Sequence, residues 1–375
     1  MTSMNSKRSR IAFNDLSVVV QDHRTEIDAA IDSVLKSGHY ILGPQVEAFE
    51  YEFARYCGLS CNGVGVANGT DALELALRAL DIGPGHEVIT VANAGVPTTT
   101  AIRATGARPV FVDVTPAGLM NPALVPNAIT SATRCIVPVH LYGQVADMFA
   151  LHRIATDNNL YIVEDAAQAA GTIIDGRWGK YSNAVCFSFY PTKNLGALGD
   201  GGMVLANDEA ILQRVRSLRF YGIPNRATGL QQEFGRNSRL DEMQAAILRV
   251  RLKYLDLYNG TRRQLAQIYH AHLNPAFLHR PQDDAQNYHL FTTRVQNREE
   301  LQRQLNQDDI ETAVHYRIPQ HSQGIDRTFD VIPNTESLCR EVVSLPLWPG
   351  LGWDDVKYIA QQVNVFGRPC EDPLR

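Results

Sequence analysis

Between residues 60 and 210 the hydrophobic positions alternate between two periods, and this alternation predicts the architecture. Short apolar runs, typical of buried strands, are separated by amphipathic segments with helical spacing. The runs include HEVITVA, RPVFVDV, LYIVE and AVCFSFY. Strands that alternate with helices predict an α/β fold, with a mostly parallel sheet covered by helices on both faces. Ligands bind such sheets at the carboxyl ends of the strands, so functional residues are expected after VGVA, VITVA, IVPVHLY and YIVE.

The flanking regions have a different pattern. Residues 24–37 and 44–56 have the apolar spacing of helices. From residue 241 to 273 the pattern predicts one long helix, or two helices broken near Asn259–Gly260. A strand over 287–296, a helix over 298–310 and a strand over 311–317 are predicted next. We predict a large domain over residues 1–250, with a flexible leader at 1–10, and a smaller α+β domain over 251–375.

Composition and charge exclude several classes of protein. The chain has 375 residues and a net charge of -5, and its calculated pI is about 6.1, which argues against a duplex nucleic-acid binder. The cysteines form no CxxC pair and no zinc pattern, so no metal site is expected. No secretory signal and no run of 18 apolar residues is present, so we expect a cytoplasmic protein without a membrane span.

The stretch NGTDAL follows the first strand of the sheet and begins a helix at Thr70 or Asp71. The free N–H groups and the dipole of a helix N-terminus can hold a phosphate. An ordinary N-cap made by Thr70 or Asp71 explains the same residues equally well. The stretch therefore leaves both explanations open.

Two carboxylates, Glu164 and Asp165, end the strand YIVED. A buried carboxylate is costly unless a cation or N–H groups compensate it. One explanation is a helix cap for AAQAA, with Gln168 completing a capping box. The functional explanation is that Asp165 faces the ligand crevice and pairs with a protonated ring nitrogen.

Lys193 lies in FYPTKNLGALGDGG, directly after an apolar strand. Most lysines are solvated surface residues. The flanks of Lys193 are apolar or glycine-rich, however, and a partly desolvated lysine has a lowered pKa and can form a Schiff base. The glycines are expected to let the backbone pass close to a bound cofactor and substrate.

A phosphate site, a carboxylate for a pyridinium nitrogen and a lysine for an aldehyde together match pyridoxal 5'-phosphate. The chain also resembles the DegT/DnrJ/EryC1/StrS sugar aminotransferases over about residues 11 to 365. The motifs that carry the resemblance are NGTDALELALRAL, GHEVIT, VHLYGQVADM, EDAAQAAG, FSFYPTKNLGALGDGG, NSRLDEMQAAIL and VHYRIPQH. The resemblance implies the fold of aspartate aminotransferase, known as fold type I, and a homodimer with shared active sites.

The resemblance also implies roles for individual residues. Lys193 would carry the cofactor and move the proton, and Asp165 would keep the pyridine nitrogen protonated. Gln168 would lie near the phenolic oxygen of the ring. The remaining assignments are Gly69, Thr70 and Ser188 for the phosphate, Asn237 for the phosphate of the other subunit, and Tyr316 and His321 for the sugar nucleotide.

The sequence around Lys193 is similar to that of enzymes that aminate carbon 3 of a dTDP-linked 3-keto-6-deoxy sugar. L-Glutamate, or glutamine, would donate the amino group. Many relatives carry an aromatic residue after the second strand that stacks on the cofactor ring. In this chain Gly95 and Val96 occupy that region, so the resemblance does not identify the stacking residue.

Other functions remain open at this point. Relatives that act on 4-keto sugars carry a different stretch after the lysine. Sugar dehydratases of the same fold carry histidine in place of the lysine, and some relatives are described as regulators. A dinucleotide-dependent oxidoreductase could use GVGVANG, but this motif requires an acidic residue about 20 positions later, and Glu87 precedes a strand.

Overall fold

The computed structural model describes residues 10–60, 62–324 and 331–370. The predicted leader, apart from Arg10, lies outside these ranges. Seven strands form one sheet in the order β1-β7-β6-β5-β4-β2-β3. The strands are β1 Val64–Val66, β2 Glu87–Val91, β3 Arg108–Val112, β4 Thr133–Ile136, β5 Tyr161–Asp165, β6 Ala184–Ser188 and β7 Gly202–Leu205.

The sheet is mixed and mainly parallel, as predicted. Only β7 runs antiparallel to its neighbours, β1 and β6, while β2 to β6 pair in parallel. The carboxyl ends of β2, β4, β5 and β6 therefore meet at one edge. Strands buried on both faces are expected of parallel sheets, and every residue of β2 is buried.

Helices cover both faces of this sheet. Side chains of successive strand residues point to opposite faces, so Val204 belongs to one hydrophobic cluster and Met203 and Leu205 to another. The helices are α1 Leu16–Gln21, α2 Arg24–Ser37, α3 Pro44–Tyr56, α4 Gly69–Ala79, α5 Pro97–Ala104, α6 Met148–Asp157, α7 Glu209–Leu218, α8 Glu242–Leu252, α9 Leu255–His272, α10 Arg298–Gln307, α11 Pro333–Glu341 and α12 Trp353–Phe366.

The predicted helix break near Asn259–Gly260 is wrong. Helix α8 ends at Leu252, and α9 runs through Asn259 and Gly260 without interruption. The side chain of Asn259 is fully buried, and it accepts a hydrogen bond from Asn194 Nδ2 at 2.7 Å. A Cβ on Gly260 would meet no atom within 4 Å. Tertiary contacts of Asn259 therefore outweigh the low helix propensity of this pair.

A C-terminal lobe is formed by α9, α10, α12 and the antiparallel strands β8 (Phe291–Arg294) and β9 (Val342–Leu345). Residues 311–317, predicted as a strand, make only an isolated bridge between Ala313 and Ser344. Tyr316, within this segment, instead contacts Gln168 just beyond the end of β5. The exact division of domains at residue 250 stays a prediction.

The N-terminal segment also packs on the C-terminal lobe. Ile11 bridges to Ile310 and joins the core of that lobe, whereas α2 packs on α8 of the large lobe. The chain therefore passes from the C-terminal lobe to the large lobe before α2 and returns between α8 and α9. The two passages meet where the ring of His23 stacks on the ring of Tyr254, with centroids 3.5 Å apart.

No helix in the three described ranges combines the length and apolar character needed to cross a bilayer. Within the same ranges, no cluster of three or more His, Cys, Asp or Glu side chains is arranged to hold a metal ion. Cys61 lies outside the described residues.

Candidate active site

Asp165 ends β5 at the sheet edge where ligands are expected, and its side chain is only 5% exposed. Its Oδ2 accepts a hydrogen bond from the Thr98 hydroxyl at 2.6 Å, and its Oδ1 accepts one from the Ala167 N–H at 3.1 Å. Within the described ranges no cationic side chain forms an ion pair with this carboxylate. A buried carboxylate without a cation is unfavourable, so the position suits a cationic N–H group of a ligand.

Lys193 lies in the turn that follows β6, where its backbone N–H donates to Tyr190 O at 2.8 Å. Burial lowers the pKa of its amine to about 8, and the negative charge of Asp165 acts in the opposite direction. A sizeable fraction of the amine is therefore uncharged just above neutral pH. No protein atom of the described chain forms a hydrogen bond or ion pair with its Nζ, which leaves the amine free to react.

Two glycines near Lys193 allow separate segments of the backbone to approach each other closely. A Cβ on Gly196 would lie 2.5 Å from Pro191 O, and one on Gly202 would lie 2.3 Å from Asn68 O. At these two positions only glycine allows the two backbone segments to approach. The expectation that the glycines make room for ligands is therefore not needed to explain Gly196 and Gly202.

The predicted phosphate site is formed at the start of α4, which begins at Gly69 and is capped by Asn68 rather than by Thr70 or Asp71. Asn68 Oδ1 accepts from the Asp71 N–H at 2.8 Å. The N–H groups of Gly69 and Thr70, in the first turn, have no acceptor within the helix.

Ser188, the last residue of β6, lies against this helix start. A Cβ on Gly69 would come within 2.6 Å of Ser188 Cβ and 3.1 Å of its Oγ. Two free N–H groups, a hydroxyl and the positive end of the helix dipole thus meet, an arrangement that suits an anion such as phosphate.

Gln168 links the end of β5 to two tyrosines. Its Oε1 accepts from the Tyr142 N–H at 2.6 Å, and its Nε2 donates to Tyr316 Oη at 3.1 Å. The AAQAA segment forms turns and no helix. The explanation of Gln168 as part of a capping box is therefore wrong, and its amide belongs to the site.

Glu164 points away from the site, to the other face of the sheet. Its carboxylate lies 2.8 Å from Nε2 of the fully buried His140 and also accepts a hydrogen bond from the Ser182 hydroxyl. His140 Nδ1 accepts from the Ala146 N–H at 3.2 Å, which fixes the proton of a neutral imidazole on Nε2, facing Glu164. Glu164 therefore has a structural partner, and Asp165 is the carboxylate left for a ligand.

Three further residues lie near the site and were not among the predicted site residues: Thr98, His289 and His315. Burial and the charge of Lys193 lower the pKa of His315 to about 4 and that of His289 well below its usual value, so both are neutral near pH 7. Both line a cavity of about 110 Å³ beside Thr192. Two of them had a local signal, since Thr98 follows β2 at the carboxyl edge of the sheet and His315 lies in the motif VHYRIPQH.

The structure does not bring His321 or Asn237 into this group. His321 is buried against α11, with Nε2 3.3 Å from Glu336 Oε1. Asn237 is exposed and makes an isolated bridge with Phe220. The hydroxyl of the next residue, Ser238, accepts from the Ala67 N–H at 3.1 Å, so Asn237 lies at the surface near the turn that leads into α4.

The described residues fit pyridoxal 5'-phosphate on three counts. A phosphate-sized set of donors lies at the start of α4, a carboxylate without a cation lies at the end of β5, and an amine without a partner follows β6. Each group lacks the protein partner that its chemistry requires, and the cofactor carries the matching group for each.

Comparisons with known proteins agree with this interpretation. A profile described as the DegT/DnrJ/EryC1/StrS aminotransferase family matches residues 21–364. The dTDP-3-amino-3,4,6-trideoxy-alpha-D-glucose transaminase of Streptomyces venezuelae is 45% identical over 93% of this chain and 94% of its own. The dTDP-3-amino-3,6-dideoxy-alpha-D-galactopyranose transaminase of Aneurinibacillus thermoaerophilus is 44% identical over 95% of this chain and 99% of its own.

Among solved structures, the crystal structure of S. venezuelae DesV in complex with a ketimine intermediate has a TM-score of 0.91 to this chain. The two sequences are 43% identical, and the similarity covers 97% of this chain and 100% of the other.

Proposed function

Because the chain belongs to the DegT/DnrJ/EryC1/StrS aminotransferase family, we propose that it aminates carbon 3 of a nucleotide-linked keto sugar in amino-sugar biosynthesis, with L-glutamate as the donor. The chain is a transaminase that uses pyridoxal 5'-phosphate. One observation carries the proposal. At the same edge of the sheet lie the amine of Lys193, with a pKa of about 8, and Asp165, a carboxylate without a cation.

The cofactor supplies an aldehyde for the amino group and a protonated ring that accepts an electron pair. When the cofactor is bound, the uncharged amine of Lys193 would hold its aldehyde, and once the donor amine has displaced it the same amine would take and return the proton at the reacting carbon. Asp165 holds the proton on the ring nitrogen, and the hydrogen bond from Thr98 fixes the orientation of its carboxylate.

Other side chains position the cofactor at its two ends. The first-turn N–H groups of Gly69 and Thr70 and the hydroxyl of Ser188 bind the phosphate. Gln168 would lie near the phenolic oxygen of the ring, and its bond to the Tyr142 N–H orients the amide. Donor and sugar nucleotide use the same site in turn, so we expect ping-pong kinetics.

The choice of carbon 3 rests on two observations. The stretch FYPTKNLGALGDGG is similar to that of 3-aminotransferases. The two relatives described above are named as transaminases of dTDP-3-amino sugars. Their names support a dTDP-linked 3-keto-6-deoxyhexose as the substrate.

A panel of keto-sugar nucleotides tests the substrate. The purified enzyme is supplied with L-glutamate and with 3-keto or 4-keto sugars linked to dTDP or UDP, and products are identified by mass. We expect amination of 3-keto sugars, with dTDP preferred over UDP. Amination of 4-keto sugars alone would contradict carbon 3, and no amination of any sugar together with lack of cofactor binding would contradict the enzyme class.

The proposed functional unit is a homodimer with shared active sites. Four exposed apolar side chains support this assembly: Tyr40, Ile41, Tyr190 and Leu198. Of these, Tyr40, Ile41 and Leu198 surround the start of α8. An exposed apolar patch of this kind is typical of an interface. In a dimer, the exposed Asn237 is available to the phosphate site of the other subunit.

Analytical ultracentrifugation at micromolar concentration tests this assembly. We expect a single species of twice the chain mass. Exclusively monomeric protein that retains full turnover would contradict shared sites.

The residues present argue against the other functions considered. Lys193 is present, whereas dehydratases of this fold carry histidine there, and the complete set of Lys193, Asp165 and Gln168 argues against a regulator that has lost activity. The turn in GVGVANG leads into the proposed phosphate site, without the acidic residue that a dinucleotide site requires. A cytoplasmic location stays part of the proposal.

A further inference from the structure

Gly95 lies beyond the end of β2, at the sheet edge that carries Asp165. A Cβ on Gly95 would lie 3.2 Å from both Cε1 and Cζ of Tyr316. Such a distance is shorter than an ordinary van der Waals contact between carbon atoms. A side chain at position 95 and the ring of Tyr316 therefore compete for the same space.

The hydroxyl of Tyr316 lies within the proposed cofactor site. It accepts a hydrogen bond from Gln168 Nε2 at 3.1 Å. Burial raises the pKa of Tyr316 to about 12, and the charge of Asp165 contributes to this increase. The ring is therefore close to both Gln168 and Asp165 and remains a neutral phenol at physiological pH.

Tyr142 holds this arrangement from the other side. Its hydroxyl donates to His315 O, the carbonyl that precedes Tyr316, and its N–H donates to Gln168 Oε1 at 2.6 Å. The imidazole of His315 meets the Tyr316 ring edge-on, with centroids 5.6 Å apart. The Tyr316 ring is thus fixed in place by groups that also fix Gln168.

We propose that Tyr316 is the aromatic wall against which the cofactor ring packs, in the space that Gly95 leaves open. The inference rests on the proposed function, which assigns Gln168 and Asp165 to two positions on one pyridine ring. An aromatic side chain that contacts the first residue and lies near the second is placed beside that ring. The segment from residue 92 to 97, ANAGVP, has no aromatic side chain of its own. Tyr316 acts as a positioning residue for the ring.

The test measures cofactor binding, separately from turnover. Protein stripped of cofactor is titrated with pyridoxal 5'-phosphate, and its melting temperature is recorded without cofactor. The set is wild type, Tyr316→Phe, Tyr316→Ala and the double variant Tyr316→Ala with Gly95→Phe. Tyr316→Phe keeps the ring and loses only the hydroxyl, so it serves as the matched control for Tyr316→Ala.

We expect Tyr316→Ala to weaken binding at least about tenfold, since it removes both the buried area and the aromatic contact. The cofactor affinity of Tyr316→Phe should stay within about threefold of wild type. This change is smaller than the free energy of one neutral hydrogen bond. Gly95→Phe should restore most of the affinity lost in Tyr316→Ala, because its side chain fills the vacated space.

Wild-type affinity in Tyr316→Ala would overturn the inference. It would also be overturned if Tyr316→Phe bound as weakly as Tyr316→Ala, because the hydroxyl would then be the important group. A merely structural role predicts a lower melting temperature without cofactor and no recovery by Gly95→Phe. If wild-type protein itself bound no pyridoxal 5'-phosphate, the proposed function would fail and not the role of Tyr316 within it.

Discussion

Replacing Lys193 by alanine is expected to abolish turnover and the covalent retention of the cofactor. The residue supplies both the amine that binds the aldehyde and the base that moves the proton, and loss of general-base catalysis alone costs about 10²- to 10⁴-fold. We therefore expect a decrease of at least about 10⁴-fold in kcat for Lys193→Ala. Treatment with borohydride, which fixes such a link, should leave the cofactor mass on the Lys193 peptide of wild type and on no peptide of the variant.

Lys180→Ala is the matched control for this change. Lys180 pairs with Asp175 at 3.0 Å on the surface, and the hydrogen bond to Asp175 raises the pKa of its amine. Its replacement should leave both turnover and the trapped adduct intact. Turnover of Lys193→Ala at the wild-type rate, or an adduct on another lysine in wild type, would remove Lys193 from its assigned role.

The second large effect is expected for Asp165→Asn. The amide keeps the size of the side chain and can still accept from Thr98, but it no longer stabilises a positive charge on the ring nitrogen. Removing one member of a buried ion pair costs about 3–5 kcal/mol, and each 1.4 kcal/mol corresponds to tenfold. We expect kcat to fall about a thousandfold, while the cofactor still becomes attached to Lys193.

Glu164→Gln provides a stringent comparison, because it makes the same chemical change one residue away on the same strand. Its carboxylate faces His140 and Ser182 and does not reach the site, so turnover should stay within about threefold of wild type, and a change should be seen in thermal stability. Equal losses of turnover in the two variants would mean that the charge at the end of β5 acts through the fold and not on the ring.

The parts of the fold that could be predicted are those specified by local pattern. The buried strands β2, β5 and β6 have short apolar runs, Asp165 ends β5, and Lys193 lies in the turn after β6. Their position at one edge of the sheet follows from parallel topology alone. The sheet, the aminotransferase class and the cofactor were therefore predicted from the sequence and confirmed by the comparisons, whereas the individual site residues stay predictions.

What could not be predicted depends on contacts between distant parts of the chain. Tyr316 lies in a segment whose alternation indicates a strand, yet its position is decided by Gln168 and Gly95, which are far away in sequence. Helix α9 continues through Gly260 because Asn259 is tied to Asn194. Likewise, the low pKa of His315 arises from burial and from Lys193, neither of which a local pattern contains.

The contact between His23 and Tyr254 has a mechanical consequence. Two chain passages between the lobes meet at these stacked rings, and Tyr258 Oη lies 2.8 Å from His23 Nε2 at the same place. The segment that carries Tyr316 is bridged to β9 through Ala313 and Ser344, and Tyr316 Oη accepts a hydrogen bond from Gln168 Nε2. A rotation of the C-terminal lobe about the stacked rings would therefore move Tyr316 relative to Asp165 and Lys193.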